Sequence, residues 1–240
     1  MIIHIGPNSR KQFRINIERS LKSLTNWFLI GSILMPMIVY GVFKINFLDN
    51  NISKPDMNAS VALLVDMNSG KSGSAFLVSD KILLTAKHVM EGVAPNETVK
   101  IVFSKATPKI ETEAKLLFLA DKEGQDFAVL ELISPIKTLV PLELSSSNTS
   151  EINDEVIIIG YPNGNFSSAK AQIIDNDPDD LPDGLKMFGG AWPGNSGGPI
   201  INTKTGEVIG ILVGGFEDKF KNMLVGQKID IVNDDKRFKP

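Results

Sequence analysis

Ser196, inside Gly194-Asn195-Ser196-Gly197-Gly198-Pro199, and His88, inside Thr85-Ala86-Lys87-His88-Val89, are the residues of this chain best suited to chemistry. A serine hydroxyl stays protonated at neutral pH and needs an adjacent general base to act as a nucleophile. The sequence holds 2 histidines. His4 lies in a short basic tail, so an imidazole base for Ser196 can only be His88. A third group must hold that imidazole in one tautomer and stabilise the imidazolium that forms. Asp126 suits the role, since it opens the apolar run Phe127-Ala128-Val129-Leu130-Glu131-Leu132 and stands at the edge of an expected buried strand. Asp121 and Asp154 are its rivals.

Chain order sorts the folds that could carry such a set. The serine motif also satisfies G-x-S-x-G, the nucleophile elbow of α/β-hydrolases, but that fold runs Ser, acid, His. No histidine follows Ser196. A subtilisin order needs an aspartate ahead of His88, and Asp66 and Asp80 are available. The sequence around them is strand-rich and lacks the alternating strands and helices of that fold. The order His, Asp, Ser remains.

The segments 85–89, 126–132 and 194–199, in this order, resemble the trypsin-like (chymotrypsin-fold) serine proteases. Asn195 and the Pro193-Gly194 lead-in are most similar to the bacterial Deg-type proteases; Lys87 beside the histidine is more similar to the secreted glutamyl endopeptidases. The resemblance covers about residues 58–232 and implies a catalytic triad of His88, Asp126 and Ser196. It also implies an oxyanion hole made by the backbone amides of Gly194 and Ser196, where glycine permits the backbone conformation required.

By the same resemblance, the pocket for the residue before the cut is walled by residues 187–192 and 211–215, including Gly190, Ala191, Leu212 and Gly214. These stretches contain no Asp or Glu, so a buried substrate Lys or Arg would go unpaired. Leu212 stands where the glutamyl endopeptidases carry a histidine, so a glutamate preference is not expected either. Three departures from the family pattern stand out. Lys87 adds a cation beside the base, and Ala75 replaces a usual glycine. Asn195 replaces the aspartate that pairs with a newly cut N-terminal amine in zymogen-activated members, which argues against activation by N-terminal clipping.

These residues need a scaffold, and the rest of the chain describes one. It has 240 residues, 42% of them hydrophobic, with no cysteine, so no disulfide is possible. Residues 1–43 hold five Lys/Arg and one Glu, whereas the remainder holds 20 basic and 27 acidic residues. An acidic body argues against nucleic acid as partner, because phosphate binding wants a basic footprint. Residues 23–43 carry no charge over 21 positions, a helix of roughly 31 Å against a hydrocarbon core of about 30 Å. Trp27 and Tyr40 lie near its ends, and Arg10, Lys11, Arg14, Arg19 and Lys22 precede it. The positive-inside rule then puts the N-terminus in the cytoplasm and the rest outside it. A cleaved signal peptide is the competing reading; the apolar stretch is long for one, and no A-x-A-like site follows.

Short β-branched segments follow at 60–66, 74–79, 82–85, 98–103, 111–119 and 127–133, and again at 155–161, 169–175, 185–188, 199–201, 207–213 and 222–227. A Ser-rich break at 145–150 divides them. No internal repeat is visible. Two sets of about six strands predict an all-β fold of two antiparallel β-barrels, the chymotrypsin-like double barrel that the resemblance implies, preceded by one transmembrane helix. The expected organisation is a cytoplasmic tail (1–22), a span (23–43), a linker (44–57) and a protease domain (58–240), with barrels at about 58–144 and 151–232. No metal or cofactor is expected. Gly70-Lys71-Ser72 lacks the first glycine of a P-loop. The acidic stretch 175–183 has Asp180 where an EF-hand needs glycine and Lys186 where it needs glutamate. The sequence thus predicts a membrane-anchored serine endopeptidase acting on proteins or peptides. The alternatives are a non-catalytic peptide-binding module and an esterase on the same fold.

Overall fold

In the computed structural model, residues 56–95, 97–146, 150–215 and 222–240 are described. The tail, the span at 23–43 and nearly all of the linker lie outside them. Among the described residues no helix is long and apolar enough to cross a membrane.

The first barrel closes in the order β1 (Val61–Val65), β2 (Ser72–Leu77), β3 (Ile82–Thr85), β6 (Ala128–Leu132), β5 (Ile110–Leu119), β4 (Thr98–Phe103). The second closes as β10 (Pro199–Asn202), β11 (Val208–Gly215), β12 (Met223–Lys228), β9 (Gly184–Gly189), β8 (Ser167–Asp175), β7 (Glu155–Gly160). All ladders are antiparallel. Read round from β1 through β2 and from β7 through β8, the two orders are one topology, a repetition that the sequence does not reveal. Closure pairs every strand on both sides and so removes the exposed edges that invite aggregation.

Burial follows from the side-chain patterns. Strand β5 alternates exposed Glu111, Glu113 and Lys115 with buried Ala114 and Leu116, as expected where one face meets water. Strands β3 and β6 are buried on both faces over most of their length and read as near-continuous apolar runs. Ala75 is fully buried opposite Ala62, so its methyl group is absorbed by the barrel core. Register breaks at Leu116/Phe118 and Leu212/Gly214 bend strands near the loops that matter below.

The barrels share core. One apolar cluster runs from barrel one into Ile159, Tyr161, Ile201, Val208 and Ile211 of barrel two, and a smaller one fills barrel two itself. Past β12, the short helix α1 (Asp230–Asn233) contributes Ile231 and Val232 to the larger cluster. The terminal segment then turns back to barrel one, where Arg237 lies 4.4 Å from the Phe118 ring centroid and pairs with Asp121 at 3.3 Å. The loops after β3, between β5 and β6, and between β9 and β10 carry His88, Asp126 and Ser196 respectively.

Candidate active site

His88 sits in a single 3-10 turn, Lys87–Met90, which starts as β3 runs out and is anchored by buried Val89 and Met90. Asp126 precedes β6, next to fully buried Phe127. The two meet twice. The His88 ring Nδ1 lies 2.7 Å from Asp126 Oδ2, and the His88 backbone N–H donates to Oδ1 at 2.9 Å. A carboxylate only accepts, so Nδ1 carries the proton and Nε2 keeps its lone pair for a base's work. Burial acts to raise the Asp126 carboxyl. The hydrogen bonds from the His88 ring and backbone outweigh burial and hold it below the usual carboxylate range.

The rival aspartates are occupied elsewhere. Asp121 pairs with Arg237, and buried Asp154 pairs with exposed Lys204 at 2.5 Å among the loops of barrel two. Lys87 turns its ammonium onto the Ala120 carbonyl at 2.7 Å, so its cation is bound beside the His–Asp pair. In the acidic stretch, Asp180 pairs with Lys186 at 2.5 Å and Asp177 approaches Lys228 at 3.5 Å. No metal-binding group of acidic, His or Cys side chains is present among the described residues.

Ser196 follows a tight turn. Asn195 N–H closes it on the Trp192 carbonyl at 3.0 Å, with Pro193 and Gly194 at the central positions and Gly194 at φ +101°. A positive φ there defines a type II turn and calls for glycine. A Cβ on Gly194 would also lie 2.6 Å from the Tyr161 carbonyl oxygen. The amides of Asn195, Gly197 and Gly198 are engaged, to Trp192, Leu212 and Asn195 carbonyls at 3.0, 2.8 and 2.9 Å. The amides of Gly194 and Ser196 have no partner among the described residues. Two unpaired donors alternating with paired ones are free to bind an anion, a chemistry that acyl transfer calls on.

The Ser196 hydroxyl donates to the Val213 carbonyl at 3.0 Å and not to His88. Its main chain is nonetheless held against barrel one, where Ser74 N–H donates to the Ser196 carbonyl at 2.8 Å. A Cβ on neighbouring Gly73 would lie 2.6 Å from Val89, the residue after His88. Among the described residues, buried Asn195 Oδ1 has no partner; an aspartate there would be an unpaired buried charge, which costs far more than a neutral amide.

Beside Ser196 opens a cavity of about 780 Å³. Gly190, Ala191, Leu212 and Gly214 all line it, together with exposed Trp192 at 66% and the start of β12 at Met223 and Leu224. The β12 wall escaped the sequence reading because its residues lack any chemical signature. Gln227 escaped for the same reason. Only 3% exposed, it accepts the Asp126 N–H on its Oε1 and donates from Nε2 to the Gly124 carbonyl at 3.2 Å. A barrel-two side chain thereby ties down the barrel-one loop that carries Asp126.

A model of the trypsin-like peptidase domain matches residues 73–211, more than half of the sequence. The chain belongs to the trypsin-like peptidase family. Over 145 residues this peptidase-family chain is 32% identical to the "probable periplasmic serine endoprotease DegP-like" of Pseudomonas savastanoi, covering 58% of the chain and 28% of that protein. It is 26% identical over 166 residues to a glutamyl endopeptidase of Staphylococcus epidermidis, covering 63% of the chain and 57% of that protein. The chain therefore spans under a third of the DegP-like relative's length. Solved structures share the fold. The serine endoprotease from Yersinia pestis has a TM-score of 0.61 at 24% identity, over 74% of this chain and 61% of that one. The active form of the Rv3671c protease from M. tuberculosis has 0.60 at 22%, over 74% and 79%.

The lowered Asp126 carboxyl makes stability pH-dependent. A group with a folded pKa below its unfolded value of about 3.9 contributes fully above that value and loses the contribution as pH falls through the folded one. Asp126→Asn removes the term, so the variant should unfold at lower urea than wild type at pH 7. The gap should narrow as the pH is taken towards 3. A gap independent of pH would show that the carboxylate contributes nothing through its charge.

Proposed function

We propose that this chain is a membrane-anchored serine endopeptidase. Residues 1–22 form a cytoplasmic tail, 23–43 a span, 44–57 a tether and 58–240 an exported protease domain. The observation that carries the catalytic reading is an oriented His88–Asp126 pair on barrel one, and a Ser196 loop that is bonded to barrel one through Ser74, carries two unpaired amides and has Ser196 lining a cavity. Ser196 Oγ attacks the peptide carbonyl carbon while His88 Nε2 takes its proton. The carbonyl oxygen becomes an oxyanion, bound by the Gly194 and Ser196 amides. His88 then protonates the leaving amine as the C–N bond breaks, and an acyl-enzyme remains on Ser196. Water, deprotonated by His88, attacks the acyl carbon; the C–Oγ bond then breaks, His88 returns the proton to Ser196 Oγ, and the acid leaves. Asp126 keeps its charge throughout, orienting the ring and stabilising the imidazolium.

The Ser196–Val213 hydrogen bond favours the second reading, a peptide-binding module with an idle serine. In the catalytic reading the hydroxyl swings to His88 about one side-chain bond when substrate fills the cavity; unliganded sites often hold such contacts loosely. A fluorophosphonate probe separates the two, because only an activated serine reacts quickly. Wild type should label at Ser196. Ser196→Ala and His88→Ala should each lose nearly all peptide turnover while still unfolding cooperatively, and the double variant should be scarcely worse. Turnover by Ser196→Ala at the wild-type rate would refute the mechanism.

The DegP-like relative is described as periplasmic, which supports an exported domain here. A reporter fused after Pro240 that works only outside the cytoplasm should be active, and cytoplasmic activity with residues 1–43 intact would contradict the topology.

The cavity favours an apolar residue before the cut. Among its described lining residues there is no charged side chain, so a Lys, Arg or Glu would enter unpaired. Discrimination among Ala, Val and Leu should be shallow, since one methylene is worth about 1–3 kcal/mol. Digestion of a diverse peptide library should show cleavage mainly after aliphatic residues. Dominant cleavage after Lys, Arg or Glu would show the cavity assignment to be wrong.

A further inference from the structure

We propose that the Ser74 hydroxyl is a positioning group for the oxyanion site, among the described residues the one side-chain clamp on a loop otherwise held by backbone. The proposal rests on the peptidase reading above. Its physical basis is the way a planar trans peptide points its N–H opposite to its C=O, so that fixing the carbonyl aims the amide.

Four successive peptide planes run from Pro193 to Gly197. The Pro193 carbonyl accepts from Asn163 N–H at 3.2 Å, which aims the Gly194 amide the other way. The Asn195 carbonyl accepts from Gly198 N–H at 2.9 Å, which likewise aims the Ser196 amide. The Ser196 carbonyl accepts from Ser74 N–H at 2.8 Å. Between the two donor planes lies the Gly194–Asn195 peptide. Its carbonyl accepts from the Ser74 hydroxyl at 2.8 Å. That plane sets the angle between the two oxyanion donors, and it turns on Gly194, the least restrained residue of the loop.

Ser74 is well placed to act as a fixed post. It is fully buried in β2. Its hydroxyl accepts from Tyr161 N–H at 2.9 Å, so its own proton is committed to the Gly194 carbonyl. Its carbonyl accepts from the Thr85 hydroxyl at 2.7 Å, at the end of the strand that leads to His88. One residue of barrel one is thus bonded to the nucleophile's carbonyl, the oxyanion turn and the strand before the base. Without the hydroxyl, the partly buried Gly194 carbonyl and the buried Tyr161 N–H both lose a partner, and the turn can satisfy them only by rotating.

The test compares wild type with Ser74→Ala, Ser74→Cys and Ser74→Thr. Deleting an oxyanion donor outright costs on the order of a hundred- to a thousand-fold. Here the donors stay but lose their aim, so in Ser74→Ala kcat should fall by roughly ten- to a hundred-fold with KM within about two-fold. The affinity for a peptidyl boronic acid, which mimics the tetrahedral state, should fall by the same factor as kcat/KM. Ser74→Cys fills the space with a poor hydrogen-bonding group and should behave like Ser74→Ala, which covers the case in which the alanine variant does not fold. Ser74→Thr restores the hydroxyl and should recover most of the rate. A folded Ser74→Ala or Ser74→Cys protein with wild-type kcat, or a kcat loss not followed by boronate affinity, overturns the proposal. A wild type that neither turns over peptides nor labels at Ser196 sinks the peptidase reading instead. Positioning is then read from the Gly194 and Ser196 amide NMR signals, which should shift or broaden in Ser74→Cys; unchanged signals would refute it.

Discussion

The contact on which this site depends is the backbone of Gly197 laid directly on barrel one. At φ +85° and with no side chain, Gly197 packs where a Cβ would overlap the Ser74 carbonyl oxygen and the Thr85 hydroxyl. A second missing side chain acts from the other barrel, since a Cβ on Gly73 would crowd Val89 at 2.6 Å and the Ser196 carbonyl at 3.2 Å. The loop that ends β9 can therefore approach the loop that ends β3 more closely than side chains would allow. Ser196 and His88 come from different barrels, and two glycines set how near those barrels lie. Any L-residue at Gly197 meets both a strained φ and a steric clash, so the position has no tolerant substitute.

Charge is organised around the same seam. Asp126 belongs to barrel one, but Gln227 of barrel two holds its backbone amide. The loop that carries it is further fixed by Gly124 on Gln227, and by Asp121 on Arg237 of the C-terminal segment. Arg237 is itself oriented by Asp235, through contacts of 3.0 and 2.6 Å. A carboxylate that must keep an imidazole in one tautomer gains more from a rigid mount than from added counter-charge, since preorganised groups need no rearrangement when charge develops. The His88 main chain is part of that mount, because its N–H occupies the second oxygen of Asp126.

The strands were legible because β-branched runs and turn residues mark them locally; Thr98–Phe103 and Ile82–Thr85 fall where the sequence puts them. The triad candidates were legible because their chemistry needs particular residue types, and histidine is nearly absent from this chain. Choosing Asp126 over Asp121 and Asp154 from sequence leaned on its place before an apolar run; the structure separates them by their partners, Arg237 and Lys204. Ser74 and Gln227 were not legible. Each acts on a backbone group far along the chain, at separations of 120 and 101 residues, and serine and glutamine occur everywhere for other reasons. The shared topology of the barrels was hidden too, since matching strand order constrains only where apolar residues fall.

The resting position of the Ser196 hydroxyl can be weighed against this rigidity. Its bond to the Val213 carbonyl is an ordinary neutral one, worth about 0.5–1.5 kcal/mol net. Breaking it unaided would slow a reaction by about tenfold at most, since 1.36 kcal/mol is a factor of ten. Rotation of a side chain between staggered positions takes on the order of picoseconds to nanoseconds, against turnover times typically of a millisecond to a second. Mis-aimed oxyanion donors or a flipped imidazole would cost orders of magnitude more, and those are the groups that the Asn163, Ser74 and Asp126 contacts hold fixed. The contacts thus hold the backbone around Gly194 and Ser196 and the His88 ring through several partners each, and leave the Ser196 hydroxyl on one neutral bond.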